Sequence, residues 1–213
     1  MDTNDFEHIK FNVGIHDWTV PLNVEEIDAI IIGGGGSGGC NKNDGSDGNK
    51  SSIAYTLFEK DTNRYVIDYE FVFALGGNGG HRKEDDFHKY KNCGKGGIGN
   101  LKNGNPGQDY IRGIGANGGD TGGNSKYSGK GGTIRCEEDI FKNIVPASNY
   151  GAGGAGLGGG GGSSGYSTLR NFPIKSNSVL KIYVGGGGLS TIPELNGAPG
   201  IVVIFWKNKL KKN

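Results

Sequence analysis

The chain has 213 residues, 23 basic and 22 acidic, for a net charge of +1. That balance gives no electrostatic basis for binding nucleic acid or an anionic membrane. Glycine supplies 44 residues and proline only 6, which excludes a collagen repeat, and the apolar share of 33% lies below the typical ~45–50%, so any core is small.

From the N-terminus, residues 1–5 are polar and acidic, without the basic start and apolar stretch of a signal peptide. The expectation is a product made in a cytoplasm and not secreted by that route. Residues 9–15 alternate as a short strand, and residues 16–21 read as a β segment ended by Pro21. A helical turn is expected near 22–27. Residues 27–32 form a buried-strand run that enters a first glycine tract at 33–48. Residues 53–59 and 65–75 are rich in β-branched and aromatic residues, as strands are. Glycine then returns at 76–80 and through 94–132.

Between those tracts, residues 81–93 hold His81, Glu84, Asp85, Asp86, His88 and Cys93. The residue types suit a metal, but the spacing fits no ligand pattern, and adjacent charges read as a solvated surface. Arg82, Phe87 and Tyr90 in the same stretch make it a candidate partner-binding surface. Short helical turns are expected near 84–91 and 137–144, the second opened by Glu137, Glu138 and Asp139. A tract at 151–165 follows, then the strands 179–184 and 201–206, separated by the tracts 185–188 and 197–200. No run reaches the ~20 apolar residues of a membrane span. Cys40, Cys93 and Cys136 are odd in number and widely spaced, which argues against a disulfide framework.

The glycines are segregated from the strands, whereas a flexible linker mixes them with serine and charge. Gly33, Gly34, Gly35, Gly36, Gly158, Gly159, Gly160, Gly185 and Gly186 are therefore read as structural. Ordering such tracts is entropically costly. An extended helix of three residues per turn, bonded to neighbours through its backbone, offers a folded solution; loose loops are the other.

One motif invites another reading. Asp28-Ala29-Ile30-Ile31-Ile32 followed by glycines 33–36 and Gly38 fits a strand plus G-x-G-x-x-G, with Glu59 at the distance of a ribose-binding acid. A dinucleotide site also needs a helix immediately after the glycines. Residues 40–50 have no apolar periodicity and contain Gly45 and Gly48. No catalytic, cofactor or metal constellation is expected.

Trp18-Thr19-Val20-Pro21, a turn, an apolar strand and then polyglycine resemble the opening of the glycine-rich domains of phage tail-fibre and other virion proteins. Leu180-Lys181-Ile182-Tyr183-Val184 with its glycines, and residues 196–206, resemble the closing strands of that family. The resemblance implies one glycine-rich β domain over 1–213. Its small antiparallel sandwich, jelly-roll-like, would be built from 1–75 and 166–206, with 76–165 as a glycine-rich insertion and the tracts bundled as polyglycine II helices. It implies a virion structural or host-attachment component, whose partners are other virion proteins, further copies of itself or a host surface receptor. Residues 53–75 and 133–150 do not fit the family pattern. An antifreeze or cell-wall type of polyglycine protein and a dinucleotide-binding enzyme are the alternatives.

Overall fold

The computed structural model describes residues 6–40, 43–59, 64–81, 93–109, 116–121, 126–134 and 144–207, with only the backbone at 57–59 and 64–68. Two four-stranded antiparallel sheets face one another. The first has the order β1–β10–β3–β8, from β1 (Phe6–Phe11), β10 (Ile201–Lys207), β3 (Glu26–Ile32) and β8 (Tyr166–Pro173). The second has the order β2–β9–β4–β5, from β2 (Gly14–Thr19), β9 (Val179–Val184), β4 (Ser51–Glu59) and β5 (Arg64–Ala74). A separate two-stranded sheet pairs β6 (Thr133–Ile134) with β7 (Ile144–Val145).

Alternation along the strands builds the core. Ile27, Ala29 and Ile31 of β3 point inward with Val202, Ile204 and Trp206 of β10, and meet Trp18, Ile53, Leu180 and Ile182 of the second sheet. Each fully buried Ile or Leu contributes about 1.5–3 kcal/mol relative to leaving it exposed. The opposite face of β10 is buried as well. Ile201 and Val203 pack with Ile32, Tyr166 and Tyr127, which explains the unbroken apolar run of that strand.

The strand boundaries differ from the sequence reading at one corner. Residues 9–15 are not one strand: β1 and β2 lie in different sheets, and the chain crosses between them at Asn12 and Val13. Gly14 takes φ 137° there, a conformation that costs any residue with a Cβ. No helical turn forms at 22–27; Asn23 turns the chain at φ 66° and β3 begins at Glu26, because Val24 and Ile27 are drawn into the core. Strand β8 falls within 166–206, the part expected to supply sandwich strands, but is not one of the strands read individually from the sequence.

Residues 53–75 are the β4–β5 hairpin at the edge of the second sheet. Its register shifts twice, leaving Val66 and Phe71 as extra residues on β5. The shift at Phe71 lets that ring and Val72 both serve the core. Phe71 stacks on Phe172 of β8 at 4.6 Å between centroids, closing one side of the sandwich.

The jelly-roll expectation is not met. The strands form no closed barrel and remain two layers, because the connections after β3, β5 and β9 run out into the glycine tracts instead of closing the sheets on each other. Nor, among the described residues, do the tracts form a regular helix. The described residues hold one short 3-10 turn, Pro193–Leu195, and no helix among them is long and apolar enough to cross a membrane.

Candidate functional site

Six strand ends feed the glycine-rich region from one end of the sandwich: those at Ile32, Ser51, Ala74, Tyr166, Val184 and Ile201. Residues 33–40 are buried throughout, as are residues 151–165, although few of their side chains are apolar. What they bury is backbone, and buried backbone groups need partners.

The partners follow a period of three. The amides of Gly34, Ser37 and Cys40 donate to the carbonyls of Asn49, Ser46 and Asn43. Those of Gly35 and Gly38 donate to Ala198 and Leu195, and those of Gly36 and Gly39 to Gly162 and Gly159. Residues 159–166 repeat the pattern. Gly159, Gly162 and Gly165 donate to His81, Asn78 and Leu75, while Gly160, Ser163 and Tyr166 donate to Gln108, Asn105 and Lys102. Successive residues thus bond to different neighbouring segments, and each segment is held from several sides.

Close approach requires glycine. A Cβ on Gly38 would lie 1.7 Å from the carbonyl oxygen of Ala155, and one on Gly161 2.2 Å from that of Gly36. The serines that enter this interior have bonded hydroxyls. Ser163 Oγ accepts from the Asn105 amide at 2.8 Å and donates to the Asp120 carbonyl at 2.9 Å. In the outer segments every third residue faces inward: Gly45 and Gly48, Gly94 and Gly97, Gly104 and Gly107, Ala116 and Gly119. The residues between them carry the surface.

The end far from the sandwich is capped by a small apolar cluster of Cys40, Ile134, Ala155, Leu157 and Leu195, with Ile144 and Ile192 partly buried against it. Its rim is polar. His81 Nδ1 lies 3.9 Å from Asp44 Oδ1, the Cys93 amide donates to Asp109 Oδ1 at 3.2 Å, and Cys40 Sγ is 3.3 Å from Thr191 Oγ1. Along the flank runs an open polar groove of about 310 Å³, lined by Asn105, Gln108, Asn117, Asp120 and Thr133. Asp120 Oδ1 accepts from the Gly131 amide at 2.6 Å, and Asn117 Oδ1 from that of Ile134 at 3.1 Å. The groove offers amide and carboxylate groups to a polar ligand.

Arg82, Phe87 and Tyr90 lie outside the described residues, as do Glu84, Asp85, Asp86, His88 and Cys136 and the helical turns expected at 84–91 and over 137–143. The two residues that flank 82–92, His81 and Cys93, both sit at the capped end: Gly159 donates to His81, and Gly94 to the neighbouring Gly160. Among the described residues no group of three or more His, Cys, Asp or Glu is placed to hold a metal. The glycines of the dinucleotide-like motif are buried, and the amides of residues 34–39 donate to other carbonyls of the chain rather than pointing at an open cradle. Gly34, Gly35, Gly36, Gly158, Gly159 and Gly160 lie in the bonded interior, and Gly33 is buried at its entrance after β3. Gly185 is also buried, whereas a Cβ on Gly186 would meet nothing nearer than 3.8 Å.

Sequence reading missed the flank groove. Its trace is the spacing of three between Asn105 and Gln108 and between Asn117 and Asp120, beside inward glycines.

Fold and site together define a mostly β protein that carries an ordered, glycine-rich body on a small sandwich. No family model matches the chain, no curated protein matches its sequence, and no solved structure matches its fold.

Proposed function

We propose that the chain is a non-enzymatic virion structural or host-attachment component, in which the sandwich is the seat and the glycine tracts form a bundle of polyglycine II type that carries a presenting end. The observation behind this reading is the three-residue period of bonding along 34–40 and 159–166. It is the period of an extended helix with three residues per turn, and at its rise of ~3.1 Å residues 33–40 extend about 25 Å. A body of that kind is stiff, has few side chains in its interior, and sets the capped end well away from the sandwich.

The polarity of the molecule supports the same reading. Phe6 and Lys207 pair at the sandwich end opposite the bundle, so the attachment to other virion proteins is assigned to that end. A host surface receptor is assigned to the capped end and its flank. The outward rows of the bundle carry Asp44, Asp47, Lys50, Lys95, Asn105 and Gln108, all exposed. Long polar and charged side chains suit recognition of a partner better than the flat array of small residues an ice surface needs.

Mass spectrometry and immunogold microscopy of purified particles test the assignment. The protein is expected at the particle surface, and its absence from particles would sink the reading. Recombinant protein is further expected to bind host cells and to compete with infection.

A further inference from the structure

Asparagine is a chemically labile residue, and most so before glycine, whose backbone is free to turn and has no side chain to block the approach. The glycine amide nitrogen attacks the asparagine Cγ, its proton passes to water or hydroxide, and the side-chain nitrogen leaves as ammonia. The succinimide ring so formed takes up water. It opens at one carbonyl to aspartate and at the other to isoaspartate, whose backbone runs through Cβ and Cγ and is one atom longer. The chain has four such pairs, Asn78-Gly79, Asn103-Gly104, Asn117-Gly118 and Asn196-Gly197. All four lie in the glycine-rich body, and none of the four asparagines is buried, so burial does not protect them.

Both reacting groups are tied at every pair. The amides of Gly104, Gly118 and Gly197 donate to the carbonyls of Gly97, Gly132 and Gly188 at 2.8, 2.9 and 3.0 Å. The side-chain oxygens of Asn103, Asn117 and Asn196 accept from the amides of Gly99, Ile134 and Ser190 at 3.3, 3.1 and 2.7 Å. At the remaining pair one carboxylate holds both groups. Asp47 Oδ1 accepts from the Gly79 amide at 2.8 Å and Oδ2 from Asn78 Nδ2 at 3.1 Å. The attacking nitrogen must lose its proton, and a negative charge beside it disfavours that anionic form. The fold also has no slack for the longer product. A Cβ on Gly79, Gly104, Gly118 or Gly197 would stand 2.1, 2.2, 2.0 or 2.1 Å from the carbonyl oxygen of another segment.

We propose that these four asparagines are modification sites sealed by the folded bundle, and that opening the bundle starts their conversion. The bond that breaks is Cγ–Nδ2 of the asparagine, and the bond that forms joins its Cγ to the glycine nitrogen; water is the only co-reactant. A segment lengthened by one backbone atom no longer matches the period of three of its neighbours, so a bundle that has formed isoaspartate does not close again. This goes beyond the attachment reading and does not depend on it.

Peptide mass spectrometry with isoaspartate detection provides the test, on the full chain held in mildly alkaline buffer with and without urea. Each of the four pairs is expected to convert on the order of tenfold or more slowly in the folded protein than in urea, since reaction waits on opening. Equal rates in the two conditions would overturn the proposal. Asp47→Ala removes the acceptor of both groups at one pair. In the folded variant conversion is expected to rise at Asn78 and to stay low at Asn103, Asn117 and Asn196; an unchanged rate at Asn78 would overturn the sealing by hydrogen bonds. Should the variant open the bundle, all four rates are expected to rise together and residues 34–39 to lose slow hydrogen exchange. A rise at all four with that exchange still slow would count against the proposal. After urea is removed, protease-resistant chains are expected to be free of isoaspartate at the four positions, and its presence there would overturn the one-way closure.

Discussion

At Gly38 the choice of residue is settled by distance. An added Cβ would stand 1.7 Å from the backbone oxygen of the buried Ala155, so alanine must push two segments apart. Gly38→Ala is expected to cost about 3 kcal/mol or more, as overpacking at a site with no flexible neighbour does. Gly186→Ala, where the space is open, is expected to stay within about 0.5 kcal/mol. Thermal unfolding of the two variants reads the contrast. Ser163→Ala leaves the Asn105 amide without its acceptor and removes one of the two donors to the Asp120 carbonyl, which keeps Asn105 Nδ2, a loss of about 1–3 kcal/mol in the same measurement. Tyr55 adds a pH dependence. Burial against Phe71 disfavours its phenolate and raises its pKa. A raised folded-state pKa gives stability that is fully present below the ordinary tyrosine value of about 10 and lost as pH rises through the folded value. Denaturant titrations at increasing alkaline pH are expected to show that decline, and Tyr55→Phe to reduce it.

At the scale of elements, strands could be read in the sequence and glycine partners could not. Short apolar runs rich in β-branched residues over 27–32, 179–184 and 201–206 announced β3, β9 and β10. Strand β8 escaped because Ser167, Thr168, Arg170 and Asn171 break its apolar pattern; its place is set by pairing with β3. In the tracts, the inward glycines at 45 and 48, 94 and 97, and 104 and 107 keep a spacing of three. That spacing reports which face is inside. It does not report which segment lies opposite, since any glycine backbone accepts any other. One ring ties the hairpin to the opposite sheet: Phe71→Ala removes the stack on Phe172 and is expected to cost about 3 kcal/mol, with a lowered unfolding midpoint as the readout.

For the molecule as a whole, bundle and sandwich are expected to unfold as one unit, because six strand ends pass directly into the bundle. Far-UV circular dichroism alone would report little regular structure beyond the strands. Hydrogen exchange distinguishes order from looseness: amides of residues 34–39 and 159–165 are expected to exchange as slowly as those of β3 and β10. Exchange at the rate of an open chain would mean that the bonding of residues 34–39 is transient. The sequence showed that glycine tracts alternate with strands, and left open whether they were ordered.

The crosswise bonding of residues 33–40 has a mechanical consequence. Load applied at the capped end travels lengthwise down the segments toward the sandwich, while their hydrogen bonds lie across that line, to Asn49, Ala198 and Gly162 at one level and to Ser46, Leu195 and Gly159 at the next. Sliding one segment by a residue breaks the bonds on all its sides together, with no sequence of single ruptures to lower the barrier. Forced unfolding is governed by such a barrier rather than by equilibrium stability, so the tip should withstand a tug better than the modest apolar core would suggest.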